Sequence, residues 1–408
     1  MTILRLAIRN LLGAGIRTGL NVLVLSLSFV VIIWAQGFLN GMNRQVQDAM
    51  IATEYGGGQY WQKDYDPYDP FSLNDAHAEL PPVLAELVRA GDAAPVLVTQ
   101  GSIYSAGSMR PVLLKGVDPG QQIVSLPSGF LAQDSAAEEL PVLIGSRMAK
   151  SAGLEPGDVV TVQWRDAHGT FDAREARVVQ VMSTSVQSVD VGQVWLPLEQ
   201  LRAMTDMPGQ ATLVTVAKGR GARFEKAWDT IPIPGRNRVM SRAGWVFHST
   251  DDLMSDLRAL VKAKSTSSSI FYLILLFLAM LAIFDTQILS LFRRRKELGT
   301  LMALGMTRGR VIRLFTLEGA LHGVLAALVG SVYGIPFLVF MSRHGIQMPK
   351  MLDSMGFAIG ERLYSTYTAG LVLGTTLLVL AVTTVVSFLP TRRIAKLKPT
   401  DALRGRWT

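Results

Sequence analysis

The hydrophobic pattern alternates between two regimes. Apolar runs long enough to cross a bilayer fall at residues 20–40, 265–292, 314–341 and 366–390, each sufficient at about 1.5 Å per helical residue for a hydrocarbon core of about 30 Å. Between the first two, residues 41–264 hold no such run and take on the shorter periods of a water-soluble domain. There Pro82–Ala90 reads as a helix, and Val96–Tyr104 and Pro111–Val117 as strands. Pro141–Trp164 predicts a strand, a short helix, a Pro-Gly-Asp turn and a second strand. Glu175–Met182, Gly192–Leu196 and Ala211–Val216 add strands, with a helix over Leu198–Met204, while the aromatic stretch Tyr60–Phe71 reads as loop. Asp251–Lys264 is helical and runs into the second apolar stretch. The fold class expected is an α+β membrane protein: four transmembrane helices, with a large α+β extracytoplasmic domain between the first and second.

Orientation comes from charge. The segments 1–19, 293–313 and 391–408 hold 16 of the 40 basic residues and only Glu297 and Asp401 of the 32 acids. That bias places all three in the cytoplasm and residues 41–264 and 342–365 outside. The formal charge of +8 is therefore topological and does not suggest a nucleic-acid partner. Residues 1–19 read as an amphipathic helix along the inner leaflet, 293–313 as a short coupling helix or loop, and 391–408 as a basic tail. With no cysteine, disulfides and Cys-ligated metals are excluded.

Candidate chemistry is sparse. Gly145–Ser151, GSRMAKS, lacks the glycine before lysine that lets a phosphate-binding loop wrap its ligand, because Ala149 stands there. The five histidines are scattered, and no nucleophile elbow appears. The expectation is a non-catalytic chain with no cofactor or metal of its own. Glycines four apart, Gly319 with Gly323, Gly330 with Gly334 and Gly370 with Gly374, mark close helix packing. Asp285 and Glu318 lie at membrane depth, where a charge must face protein or a wet cleft; pairing with Arg293–Arg295 or Arg313 is the expected resolution, a proton relay the alternative. In 293–313, Leu298, Leu301, Met302 and Leu304 form an apolar stripe flanked by cations and closed by Gly305. The residues alone leave two readings, a helix lying on anionic lipid or a docking face.

A resemblance bears on that choice. Arg295, Glu297, Leu298, Gly299, then Ala303, Leu304, Gly305, then Glu318 and Gly319 resemble the signature of FtsX-like and MacB-like permeases of ATP-binding-cassette (ABC) systems. LAIRNL with Arg17 and Thr18, the pattern of Pro141–Val162, and Lys398, Pro399, Asp401, Ala402 and Leu403 are similar to further parts of that family. The resemblance implies that Arg295, Glu297, Gly299, Leu301, Leu304 and Gly305 dock on a cytoplasmic ATPase dimer that carries ATP and magnesium. It implies a second permease, identical or paralogous, in the bacterial inner membrane, and transmission of ATP-driven motion to the outer domain. Domain size and the absence of a fused ATPase resemble the lipoprotein-releasing permeases. MacB-like export of peptides or small molecules is the alternative, and a membrane-anchored sensor or scaffold of envelope enzymes is a third.

Overall fold

The computed structural model describes residues 2–13, 15–105, 107–132, 139–184, 186–219, 230–232, 239–241, 244–293, 300, 302, 305–347 and 362–394. In chain order, α1 (Thr2–Gly13) and α2 (Ile16–Met50) are followed by one π-helical turn, Ile51–Tyr55. Then come β1 (Gln59–Gln62), β2 (Ala78–Glu79), α3 (Pro82–Arg89), β3 (Ala93–Ser105), β4 (Ser108–Val117), β5 (Leu140–Gly145), α4 (Ser146–Ala152), β6 (Val159–Arg165) and β7 (Phe171–Met182). The domain continues through α5 (Gln187–Gly192), β8 (Gln193–Pro197), α6 (Leu198–Thr205), β9 (Gln210–Ala211), β10 (Leu213–Val216), β11 (Thr230–Pro232), β12 (Val239–Ser241), β13 (Trp245–His248) and α7 (Thr250–Leu253). Long helices α8 (Ser255–Arg293), α9 (Arg308–His344) and α10 (Ala369–Ile394) complete it, with β14 (Ile346–Gln347) and β15 (Arg362–Leu363) between the last two. The chain divides into two compact units, Met1–Asn43 with Leu260–Gln347 and Arg362–Thr408, and Arg44–Ala259 with Met348–Glu361.

The second unit is built on an eleven-stranded sheet ordered β11-β12-β13-β1-β10-β3-β4-β8-β5-β7-β6. Because β3 also pairs with β6, through Gly101–Trp164 to Tyr104–Thr161, six of these strands close on themselves as a ring. Closure removes two sheet edges that would otherwise stand open. Side-chain alternation then sorts residues into two faces. Leu97, Ile103, Val112, Leu114, Val142, Ile144, Val160, Val162, Val178, Val194 and Leu196 join one core cluster drawing on all six ring strands. The opposite parity, Val96, Val98, Val117, Leu143 and Trp195, joins a second cluster. The thirteen residues of β3 serve both the ring and the extension: the first seven are buried, and of the remainder only Ile103 is.

Two expectations need correction here. Tyr60–Phe71 is not all loop, since Gln59–Gln62 is a strand held between β10 and β13, with Tyr60 only 2% exposed. The last apolar run, expected to stop at 390, belongs to a helix that continues to Ile394 with Pro390 inside it, where a missing N–H costs one hydrogen bond rather than the whole element.

In the first unit, α1, α2, α9 and α10 bury apolar faces against one another. Ala7 of α1 is fully buried with Val311, Leu314 and Phe315 of α9, while Leu4 and Ile8 stay exposed, so α1 has one face on protein and another open. Among the described residues, three helices are long and apolar enough to cross a membrane, within Thr18–Tyr55, Arg308–His344 and Ala369–Arg392. Helix α8, 39 residues long, carries the second apolar stretch. Helix α9 starts at Arg308, so 308–313, expected in the coupling loop, is already part of a membrane helix.

Candidate functional site

Three places carry the residues that sequence singled out. The first is the helix bundle. Gly323 of α9 sits against α10 so closely that a Cβ there would stand 2.7 Å from Thr383 Oγ1. One face further along, Gly330 meets Phe29 and Ser26 of α2, and a Cβ at Gly334 would lie 2.6 Å from a Val30 methyl. With lipid offering no hydrophobic drive, such close backbone approach is what dispersion and polar contacts need. Tyr333 donates its hydroxyl to Ser26 Oγ at 3.1 Å across the same crossing. Gly319 is buried on α9. Gly370 and Gly374 differ, because nothing lies within 4 Å of a Cβ at either; they are exposed on α10.

Glu318, 4% exposed, is held inside this bundle. One turn on, His322 donates Nδ1–H to the Glu318 carbonyl at 2.8 Å. The neighbouring face of α10 is lined by Thr383, Ser387 and Thr391, all buried and each bonded back to a carbonyl of its own helix. Asp285, by contrast, is exposed on α8.

The second place is the coupling segment. Arg295, Glu297, Gly299, Leu301 and Leu304 lie outside the described residues. Gly305 is described: its φ of 94° is one that side chains other than glycine rarely adopt, and its N–H donates to the Met302 carbonyl at 3.1 Å. Met302 and Met306 pack against the Ala7, Val311, Leu314 and Phe315 cluster, which seats this end of the segment on α1 and α9.

The third place is the second unit itself. GSRMAKS, which lacks the glycine of a phosphate-binding loop, is the end of β5 and the short helix α4. Asp190 of α5 reaches the N-terminal turn of α4, its carboxylate 3.2 Å from Ser146 Oγ and 3.6 Å from Arg147 Nε. The chain's own anion therefore stands where a phosphate would have to be. A side chain at Gly145 would collide with Asp190. Burial pushes the Asp190 carboxyl above the usual carboxylate range, against the opposing pull of the Arg147 and Ser146 N–H groups and the Arg147 charge.

Sequence reasoning missed one cluster altogether. In the π turn ending the α2 helix, Glu54 is paired with Lys115 of β4, both side chains largely buried. Gln193 of β8 donates to the same Glu54 oxygen at 3.2 Å, and the Lys115 ammonium stands 5.0 Å over the Trp195 ring. Burial would push the Glu54 carboxyl up, but the Lys115 charge and the hydrogen bonds from Lys115 and Gln193 outweigh it and hold it below the usual range. Among the described residues no three metal-ligating side chains come together.

The chain thus combines a bundle of long apolar helices with a large sheet domain inserted after the first of them. Comparison with known families makes this specific. The model of the MacB-like periplasmic core domain matches residues 18–229, and that of the FtsX-like permease C-terminal domain matches residues 269–399. The chain belongs to this family of ABC transporter permeases. It is similar to the lipoprotein-releasing system transmembrane protein LolC of Neisseria meningitidis serogroup B, at 23% identity over 76% of this chain and 77% of the relative. A LolC of Xylella fastidiosa is 21% identical over 94% of this chain and 92% of its own. An uncharacterized ABC transporter permease of Methanocaldococcus jannaschii is 22% identical over 68% and 70%.

Proposed function

We propose that this chain is the membrane subunit of an ABC system that releases lipid-anchored proteins from the outer leaflet of a bacterial inner membrane. It transmits motion from a cytoplasmic ATPase dimer to its outer domain, beside a second permease. The observation that carries the cargo assignment is the LolC similarity running through nearly the whole chain, 94% of it in one case. In this reading α8 is the fourth crossing, the second in chain order, and Ser255 onward brings the chain back from the outer domain. ATP and magnesium are bound by the partner. Occupation of the α4 N-terminus by Asp190 supports that division of labour.

A second reading keeps the machine and changes the cargo. The MacB-like core domain match over residues 18–229 favours export of peptides or small molecules. Both readings are tested by purifying the full chain in gentle detergent and identifying what accompanies it. The expected result is an ABC ATPase. A kinase or cell-wall enzyme without an ATPase would favour the sensor or scaffold and overturn the transport reading. Reconstitution with that ATPase in vesicles carrying an acylated protein then separates the cargoes: ATP-dependent release supports lipoprotein extraction, and its absence supports the export reading.

A further inference from the structure

The path from the first membrane helix into the sheet domain contains a weak point and a bypass. After Met50 the helix relaxes into the π turn Ile51–Tyr55, closed by the Gly56 N–H donating to the Ile51 carbonyl at 2.8 Å. Three glycines follow. Gly56 and Gly58 have φ of 55° and 127°, and the chain reverses through them into β1. A π turn leading into glycines in left-handed backbone is where a helix would be expected to hinge. Motion of α2 reaching this point would dissipate in the turn if covalent continuity were the only connection.

Glu54 lies within the π turn, ahead of the three glycines, and its partners lie on the ring. Its carboxylate meets Lys115 of β4 and Gln193 of β8, two neighbouring strands paired in parallel from Leu113–Gln193 to Val117–Pro197. Its carbonyl accepts from Gln59 Nε2 at 2.8 Å, and the Ala52 carbonyl accepts from the Ser125 N–H at 2.7 Å. Lys115, Gln193 and Trp195 are at most 4% exposed. Around them, Ala49 and Met50 from the last helical turn pack on the second core cluster.

Stability does not account for a charge pair here. Replacing a buried ion pair by apolar side chains of similar size is often neutral or stabilising, because desolvation costs as much as the attraction returns. What an ion pair with directional hydrogen bonds supplies, and sliding methyl contacts do not, is a fixed register in a low-dielectric site. We propose that Glu54 and Lys115 are positioning residues that lock the end of α2 to β4 and β8. Displacement of the helix is thereby carried into the ring past the glycine turn. This deepens the transmission reading above by naming the contact that receives the motion, although the lock itself can be measured without any ATPase.

The absence of native cysteine makes the test direct. Spin labels are attached at Arg44→Cys, exposed on α2, and Thr161→Cys, exposed on β6, in the full chain in lipid nanodiscs. Their distance distribution is read with Glu54 and Lys115 intact and in the double variant Glu54→Leu with Lys115→Met. The intact pair should give one narrow peak. The double variant, which leaves no unpaired charge, should lose it for a broad or shifted distribution while its thermal midpoint holds. If the narrow peak persists, the pair only fills space and the proposal is wrong, whatever the midpoint does. Should the double variant fail to fold, Glu54→Gln combined with Lys115→Met, which also leaves no unpaired charge, is read by the same criterion. Failure of the chain to associate with an ATPase would refute the transport reading and leave this result standing.

Discussion

Gly334 of α9 stands so close to Val30 of α2 that a single added carbon would fall 2.6 Å from a valine methyl. Valine is stiff about χ1 and cannot swing aside as a longer chain would. Gly334→Val should therefore separate the two helices and cost about 1–3 kcal/mol through overpacking, seen as a lower thermal midpoint in detergent. Gly374→Ala is the control. Nothing lies within 4 Å of a Cβ there, and alanine in a helix is favoured over glycine by about 0.4–1 kcal/mol, so the isolated chain should hold or gain stability.

Topology is checked with the same cysteine-free background. Ser128, in an outer segment by sequence, is a poor reporter because it is only 2% exposed. Ser108 at the start of β4 and Thr307 before α9 are exposed. A cysteine at Ser108 should react with an impermeant reagent on intact cells, and one at Thr307 only after permeabilisation. The opposite pattern would invert the orientation drawn from the basic segments.

The Glu54 carboxyl is held below its ordinary value, so its ionised form contributes stability that is fully present above the unfolded value and fades as pH falls through the depressed folded one. Asp190 has the opposite sign: raised by burial, it favours the folded state at low pH and loses that contribution as pH rises. Glu54→Gln should cost about 3–5 kcal/mol near neutral pH by leaving Lys115 buried and unpaired. That difference should shrink on acidification below the ordinary carboxylate range. Denaturant unfolding of both proteins across that range measures it, and a gap independent of pH would show that the charge of Glu54 is not what stabilises the pair.

Glu297 is a lone acid among the cations of the coupling segment. As a helix-end acid it would contribute about 0.3–1 kcal/mol. Against a basic group on the ATPase in a desolvated contact, its removal would cost about 2–5 kcal/mol of association. Glu297→Ala should leave thermal stability nearly unchanged while weakening ATPase binding and uncoupling hydrolysis from release. Normal ATPase binding by a destabilised variant would reduce Glu297 to a cap.

The ring was legible in the sequence wherever one face of a strand met the core and the other did not: in β6, Val160, Val162 and Trp164 are buried while Val159, Thr161 and Arg165 are exposed. In β4 both faces are buried from Leu114 to Val117, and there the apolar run rather than an alternation marked the strand. The strand β1 was not legible, because Gln59 and Gln62 are buried polar residues satisfied by Thr215, the Glu54 carbonyl and Asp64, partners that no local period announces. Glu54 and Lys115 were hidden for the same reason: each looks like an ordinary surface charge until the fold brings π turn and strand together. The glycine pairs of the membrane helices were visible as a spacing, but which of them meet a neighbour depends on helix rotation. Only the packing of α9 on α2 and α10 separates Gly323, Gly330 and Gly334 from Gly370 and Gly374.

The placement of β1 between β10 and β13 sets an order of events during biosynthesis. Gln59 pairs with Thr215 on one side and His248 on the other, so the first strand to be made has both of its neighbours among the later ones. Such long-range pairing is slow to form and leaves strand edges exposed in the meantime. In the proposed topology the domain is exported from its N-terminal end, and β13 emerges just before α8 enters the bilayer. The nascent domain therefore waits outside the membrane with an open edge at β1, and insertion of the second crossing coincides with the moment at which that edge can be closed.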